Sequence, residues 1–300
     1  MKAIGCTEYG GLEVIKELGI KKPIPGPGEV LIKIHAAGAN PVDYKIRQGR
    51  LKDRMPNIFP IVFGWDAAGT IEAASEGVND FAIGDEVFAY TRKDTIHDGT
   101  YAEYIAVPVE FVCRKPEGVS MSEAAAIPLA GLTAYQSLIE TAGLSRRETV
   151  LIHAGAGGVG GFAVQIAKSV GAAVISTAGE KNHDYVKTLG ADHVIDYTKH
   201  DFRDAVRGQY PDGVDVVYDT VGGDVYQKSL EVIKKGGRMV SILQKPEPEL
   251  DKNYGITTQY VFVRPDGKQL DVLKKMAEAG ALFTKVTEIP LDNAAKAHRM

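Results

Sequence analysis

Apolar positions along this chain recur with two different periods, and the period changes near residue 117. Before that point, short alternating runs sit between glycine and proline turns. Residues 23–28 (P-I-P-G-P-G) form a stiff turn, after which Val30, Ile32 and Ile34 alternate with Leu31, Lys33 and His35. Period-two alternation predicts a strand with one buried face. Residues 86–90, entered from Gly84-Asp85, and residues 101–107 read the same way. Pro116 and Gly118 interrupt this texture, and an alanine-rich helix begins at Ser122. Further on, apolar β-rich runs at 149–153, 173–176, 194–195, 214–218 and 238–242 alternate with helical stretches. Strands separated by helices imply right-handed crossovers and a parallel sheet covered on both faces. Leu270, Leu273 and Ala277 then share one side of a helix, and a second helix is expected from near Asp292 through Met300. The chain is thus expected to stop inside an element, short of a closing segment.

At 300 residues the chain has room for two domains, each with its own core. A formal charge of −4 argues against a nucleic-acid partner, which calls for a basic face. No apolar run approaches the roughly 18 residues of a membrane span. Glu8 and Glu13 come too early for a secretory apolar segment, so a cytoplasmic address is expected. Two cysteines, Cys6 and Cys113, cannot build a four-cysteine zinc site and read as small buried residues. The histidines are scattered, and His35, His97 and His153 read as structural or exposed.

The strongest chemical signal is H-A-G-A-G-G-V-G at residues 153–160, directly after an apolar run. Gly155, Gly157 and Gly160 fit G-x-G-x-x-G. Val159, Phe162, Ala163, Ile166, Ala167 and Val170 follow at helical spacing, and the next strand begins near Ala173. In such a βαβ unit one glycine makes the tight turn, the second admits main chain to a pyrophosphate, and the third lets helix pack on strand. The free amides of Gly158 and Val159 and the positive end of the helix would face the phosphates. An acidic residue ending the second strand would select NADH and repel the extra phosphate of NADPH. About 24 residues beyond Gly155 stands Gly179 instead, with Ser176, Thr177 and Lys181 nearby. NADPH is therefore expected over NADH, with Glu180 as the residue opposing that choice.

These residues and the first domain resemble the medium-chain dehydrogenase/reductase superfamily, in particular its zinc-free quinone oxidoreductases and enone (alkenal) reductases. The resemblance runs from Met1 to His298. It is carried in family order by G-A-N-P-V-D at 38–43 with Arg47 and Gly49, G-W-D-A-A-G at 64–69, G-D-E-V at 84–87 and G-L-T-A at 131–134. The glycine loop, G-A-D at 190–192 and D-T-V-G-G at 219–223 complete it. It implies an α/β protein: a GroES-like β-rich catalytic domain over 1–117, completed by 265–300, and a Rossmann doubly wound parallel-sheet domain over 118–264. The cofactor would lie in the cleft between them, and a homodimer would form through the edge of the Rossmann sheet. A further strand is implied beyond Met300, one that sometimes supplies an arginine to the phosphate.

Zinc-dependent members resembling this chain carry cysteine at the place of Asn40 and a His-Glu pair at Trp65-Asp66. Without those ligands no metal is expected. Hydride delivery to a quinone or an α,β-unsaturated carbonyl needs neither Lewis acid nor flavin, only donors for the oxygen on which charge grows. The N-P-V-D-x-K pattern places Lys45 where quinone reductases commonly have tyrosine, and an ammonium suits a developing enolate. Asn40 would sit near the nicotinamide, and Trp65 would form a stacking wall for a planar substrate. The resemblance also puts Thr133, Phe262 and Val263 near the nicotinamide, Tyr197 near the adenosine phosphate, and Gly222 and Leu243 on the cofactor edge. Two other readings stay open at this point. A glycine loop reports binding rather than turnover, so a dinucleotide-binding sensor or structural protein fits, as does an alcohol dehydrogenase-like enzyme holding zinc.

Overall fold

The alternating and the βαβ-like halves of the sequence fold separately in a computed structural model, which describes residues 1–299. One unit comprises residues 1–129 with the chain from Arg264 on, the other Ala130–Val263.

In the first unit the alternating runs become β1 (Lys2–Cys6), β2 (Lys16–Gly19), β3 (Glu29–Gly38), β4 (Ile61–Val62), β5 (Asp66–Ala74), β6 (Glu86–Tyr90), β7 (Tyr104–Pro108) and β8 (Val112–Arg114). They form two antiparallel sheets, ordered β2-β1-β4 and β7-β3-β5-β6-β8. Val30, Ile32, Ile71, Val87, Ile105 and Val107 meet in one core. Leu31 is buried as well, so this end of β3 is covered on both faces.

Two short helices close the local frame. Helix α1 (Pro41–Arg47) follows β3, with Pro41 at its first position, where a missing N–H costs nothing. Helix α2 (Met121–Ala125) starts from Ser120, whose side chain accepts the Glu123 N–H. It packs on β3 and β5. For that reason the first unit runs to Leu129, whereas the sequence places the division near 117. Pro116 and Gly118 turn the chain inside the unit and do not end it.

The returning chain forms a helix over Gly267–Glu278 that buries Leu270 and Leu273 and packs on β8. The last helix is shorter than expected, Ala294–Ala297 after a single turn, because only Ala294 is buried there. Met300 lies outside the described residues.

In the second unit α3 (Pro128–Tyr135) leads toward a six-stranded parallel sheet. Its parts are β9 (Thr149–Ile152), α4 (Gly158–Ser169), β10 (Ala173–Thr177), α5 (His183–Thr188), β11 (His193–Ile195), α6 (Phe202–Gln209), β12 (Val214–Asp219), α7 (Asp224–Ser229), β13 (Ile233–Ser241), α8 (Pro248–Tyr254) and β14 (Thr257–Tyr260). The strand order β11-β10-β9-β12-β13-β14 reverses direction between β9 and β12. That reversal leaves a crevice beyond the carboxyl ends of these two strands, where doubly wound sheets hold ligands. No helix among the described residues is long and apolar enough to cross a membrane.

Candidate functional site

The glycine loop occupies that crevice, leaving β9 at Ile152 and entering α4 at Gly158. Two of its glycines are demanded by close approach. A Cβ on Gly155 would lie 2.1 Å from Ser176 Oγ, and one on Gly160 would lie 2.2 Å from the main-chain oxygen of Ala154. Gly157, the residue preceding α4, is exposed, and a Cβ there would meet nothing nearer than Ala154 O at 3.3 Å. Its freedom from side chain leaves open space at the helix start. The first-turn amides of Gly158, Val159 and Gly160 have no acceptor within the helix, and the dipole adds positive potential. Gly158 is exposed, Val159 half-buried and Gly160 buried, and main-chain donors at such a helix start fit a diphosphate.

A buried relay steadies the loop from below. His153 Nε2 lies 2.9 Å from Ser229 Oγ, whose hydroxyl donates to Val225 O at 2.6 Å. Nε2–H is therefore the donor, and Nδ1 accepts from the Thr177 hydroxyl at 3.2 Å. Thr177 Oγ1 in turn accepts the N–H of Ala154 at 3.1 Å. Ala154 has φ +52°, an uncommon conformation for a residue with a side chain, and this bond helps to hold it there.

Burial pushes the His153 imidazole down to about 4. In the unfolded chain it takes a proton near 6.5, so its contribution to stability is full above that pH and is lost as pH falls toward about 4. His153→Gln is expected to remove up to ~1.4 kcal/mol per pH unit of slope across this window. His298, also near 4, acts in the same direction. Asp43, pushed up to about 7, acts oppositely. The measurement is thus the difference between wild type and variant in urea unfolding at pH 6.5 and 4.5; parallel curves would refute the assignment.

The ends of β12 and β13 are tied by Asp219, which the sequence marks only as the first residue of D-T-V-G-G and gives no role. One oxygen of buried Asp219 accepts the N–H groups of Val221 (2.9 Å) and Gly222 (2.8 Å), and the other accepts the Ser241 hydroxyl (2.7 Å). Ser241 Oγ accepts the N–H groups of Leu243 (3.1 Å) and Gln244 (3.0 Å). Gly222 and Leu243 are brought side by side, since a Cβ on Gly222 would stand 3.3 Å from that of Leu243. The aspartate just before a turn containing glycine was the available signal. Val263 and Thr133 are buried, Phe262 is half-buried, and Thr133 O accepts from Tyr218 Oη at 3.4 Å.

At the end of β10 the expected phosphate contacts divide. Ser176 and Thr177 are turned inward. Ser176 Oγ donates to Ile152 O at 2.8 Å, and Thr177 belongs to the relay above. Both are buried and shape the glycine loop. Lys181 and Tyr197 are exposed. Glu180 is also exposed, and its Oε2 accepts from Lys199 Nζ at 2.7 Å.

In the first unit Asn40 is held at both ends. Its N–H donates to Asp43 Oδ2 and its Nδ2 to Asp66 Oδ2, each at 2.8 Å. Asp66 Oδ1 accepts the Leu129 N–H at 2.8 Å. Burial raises the Asp66 carboxyl well above the usual carboxylate range despite these donors. Trp65 is buried and packs edge-on against Tyr90, with ring centroids 6.2 Å apart. It packs in the core just before β5, which carries its neighbours into the sheet. Lys45, on α1, is half-buried and makes no ion pair among the described residues. Desolvation, with Arg50 adding like charge, holds its ammonium below the ordinary lysine value. Asn40 and Asp66 are committed to each other, and no group of three or more His, Cys, Asp or Glu among the described residues is placed to hold a metal ion.

Comparison with known proteins agrees with this geometry. Residues 26–117 match the alcohol dehydrogenase GroES-like domain, and residues 158–262 match the zinc-binding dehydrogenase domain. The chain is 41% identical over 247 residues to 2-methylene-furan-3-one reductase of Solanum lycopersicum, covering 80% of this chain and 61% of that protein. It is 39% identical over 249 residues to the chloroplastic NADPH-dependent alkenal/one oxidoreductase of Arabidopsis thaliana, covering 81% and 62%. The chain thus spans about three fifths of the length of these curated relatives. The structure of the quinone oxidoreductase from Coxiella burnetii superposes with a TM-score of 0.88 at 34% identity, covering all of this chain and 94% of that one.

Proposed function

The chain belongs to the medium-chain dehydrogenase/reductase superfamily, in its quinone and enone reductase branch, and from that membership we propose that it is an NADPH-dependent, zinc-independent oxidoreductase acting on quinones or α,β-unsaturated carbonyls. The observation that carries the reading is the amide cluster at the start of α4, beside exposed Gly157 and Gly158 in the crevice between β9 and β12, with Gly155 and Gly160 too closely packed for a side chain. Relatives named for furanone, alkenal and quinone reduction support the substrate class, and one of them is named for NADPH.

When bound, NADPH supplies a hydride for the electron-poor carbon of the acceptor. Negative charge then grows on the conjugated oxygen, and a proton from solvent completes the reduction. Lys45, an ammonium with no ion pair among the described residues, is assigned to hold that oxygen. Asn40, its amide fixed by Asp66, is assigned to orient the reacting partners. We place the protein in the cytoplasm, as a homodimer formed along β14, the last strand of the sheet. The test is loss of NADPH absorbance with a panel of enones and quinones. The purified protein is expected to turn over at least one acceptor class without added metal. Inertness toward both classes would sink the reading.

A further inference from the structure

We propose, resting on the NADPH reading above, that Lys199 is a specificity-determining residue for the adenosine 2′-phosphate: by holding the Glu180 carboxylate it removes the repulsion that an acid at this place would exert on NADPH. In doubly wound folds an acid just past the second strand takes the ribose hydroxyls and disfavours the phosphorylated nucleotide. Here that strand is β10, and the position is open: a Cβ on Gly179 would meet nothing within 4 Å. Glu180 follows at once, with 72% of its side chain exposed, so burial does not mask its charge.

What masks it is a cation from another loop. Lys199 lies beyond β11, and its Nζ bonds Glu180 Oε2 at 2.7 Å while standing 3.9 Å from Asp196 Oδ2. Asp196 itself is turned to its own loop, accepting the N–H and hydroxyl of Thr198 at 3.0 and 2.7 Å. With Glu180 and Lys199 cancelling, Lys181 is left as an exposed cation without an ion pair among the described residues. Across Glu180, Lys181, Asp196 and Lys199 the formal charges sum to zero, and without the Lys199 cation the same cluster would be negative. Lys199 acts here as a positioning and screening group, since its ammonium is already engaged by carboxylates.

A double-mutant cycle separates this role from direct phosphate contact. Dissociation constants for NADPH and NADH are measured by calorimetry on wild type, Lys199→Ala, Glu180→Gln and the double variant. Uncovering one negative charge near a phosphate in a water-like setting is expected to weaken NADPH about tenfold in Lys199→Ala and to leave NADH within about twofold. In the Glu180→Gln background the same alanine is expected to change NADPH binding by less than about twofold. An equal loss in both backgrounds would mean that Lys199 touches the phosphate itself, and no loss in either would mean that it plays no part; both overturn the inference while leaving the NADPH reading intact. A wild-type protein that does not prefer NADPH to NADH overturns that reading, and this inference with it.

Discussion

Gly160→Ala is expected to destabilise the second unit by about 3 kcal/mol, the upper range for overpacking, and to abolish nicotinamide nucleotide binding. Its methyl would meet main-chain oxygen of Ala154, which cannot move without undoing the turn at φ +52°. Gly155→Ala is expected to cost less, because its nearest contact is the Ser176 hydroxyl, which can rotate after giving up its bond to Ile152 O, while Ser176 Cβ and Val186 Cγ1 stand at 3.1 and 3.2 Å. Gly157→Ala isolates binding from folding. Its φ of −79° suits alanine and its methyl meets nothing nearer than 3.3 Å, so stability should fall by less than about 1 kcal/mol. The same methyl projects where phosphate oxygens must approach the amides, and losing one or two charge-assisted hydrogen bonds should raise the NADPH dissociation constant about 10²-fold. Thermal unfolding and calorimetric titration of the three variants give both quantities. Unchanged NADPH affinity in Gly157→Ala would remove the helix start as the diphosphate site.

That contrast also marks how far the sequence could be read. Glycine spacing announces a loop that must bring main chain close to something. It does not distinguish Gly155 and Gly160, needed for the protein's own packing, from Gly157, which leaves space for a ligand. Ser176 and Thr177 show the same gap. Their position at the end of β10 was legible from the period, but which way a hydroxyl points is decided by neighbours such as Ile152 and His153 that lie about 24 residues away. Elements that bury a clear stripe were legible, as were β3, β6, β9 and the helix over Gly267–Glu278. Strand β14 (T-T-Q-Y) is polar and lies at an edge, so no alternation reveals it. The start of β13 is hidden by Lys234, Lys235 and two glycines. Helix α4 read as amphipathic, yet residues 160–167 are buried all round, because it is covered on more than its sheet face.

Lys45→Met is expected to lower kcat/KM for an enone about 10²–10³-fold, the usual cost of removing a donor from a developing oxyanion. NADPH affinity should stay within about threefold of wild type, since no more than a partly exposed charge is removed. The pH profile gives a signature that a packing role would not. In the proposed role Lys45 acts as the ammonium, and desolvation holds its pKa below the ordinary 10.5. Its charge is therefore lost as pH rises through that lowered value, and the wild-type rate should fall on the alkaline side before an ordinary lysine would titrate. The methionine variant should lack this limb, and Lys45→Arg should restore part of the rate with no limb below the arginine range. Half-burial with no counter-ion among the described residues is costly unless something anionic arrives, which is why the carbonyl oxygen is the partner assigned to it. If the NADPH dissociation constant rises as far as the rate falls, Lys45 serves the cofactor, and the enolate role is lost.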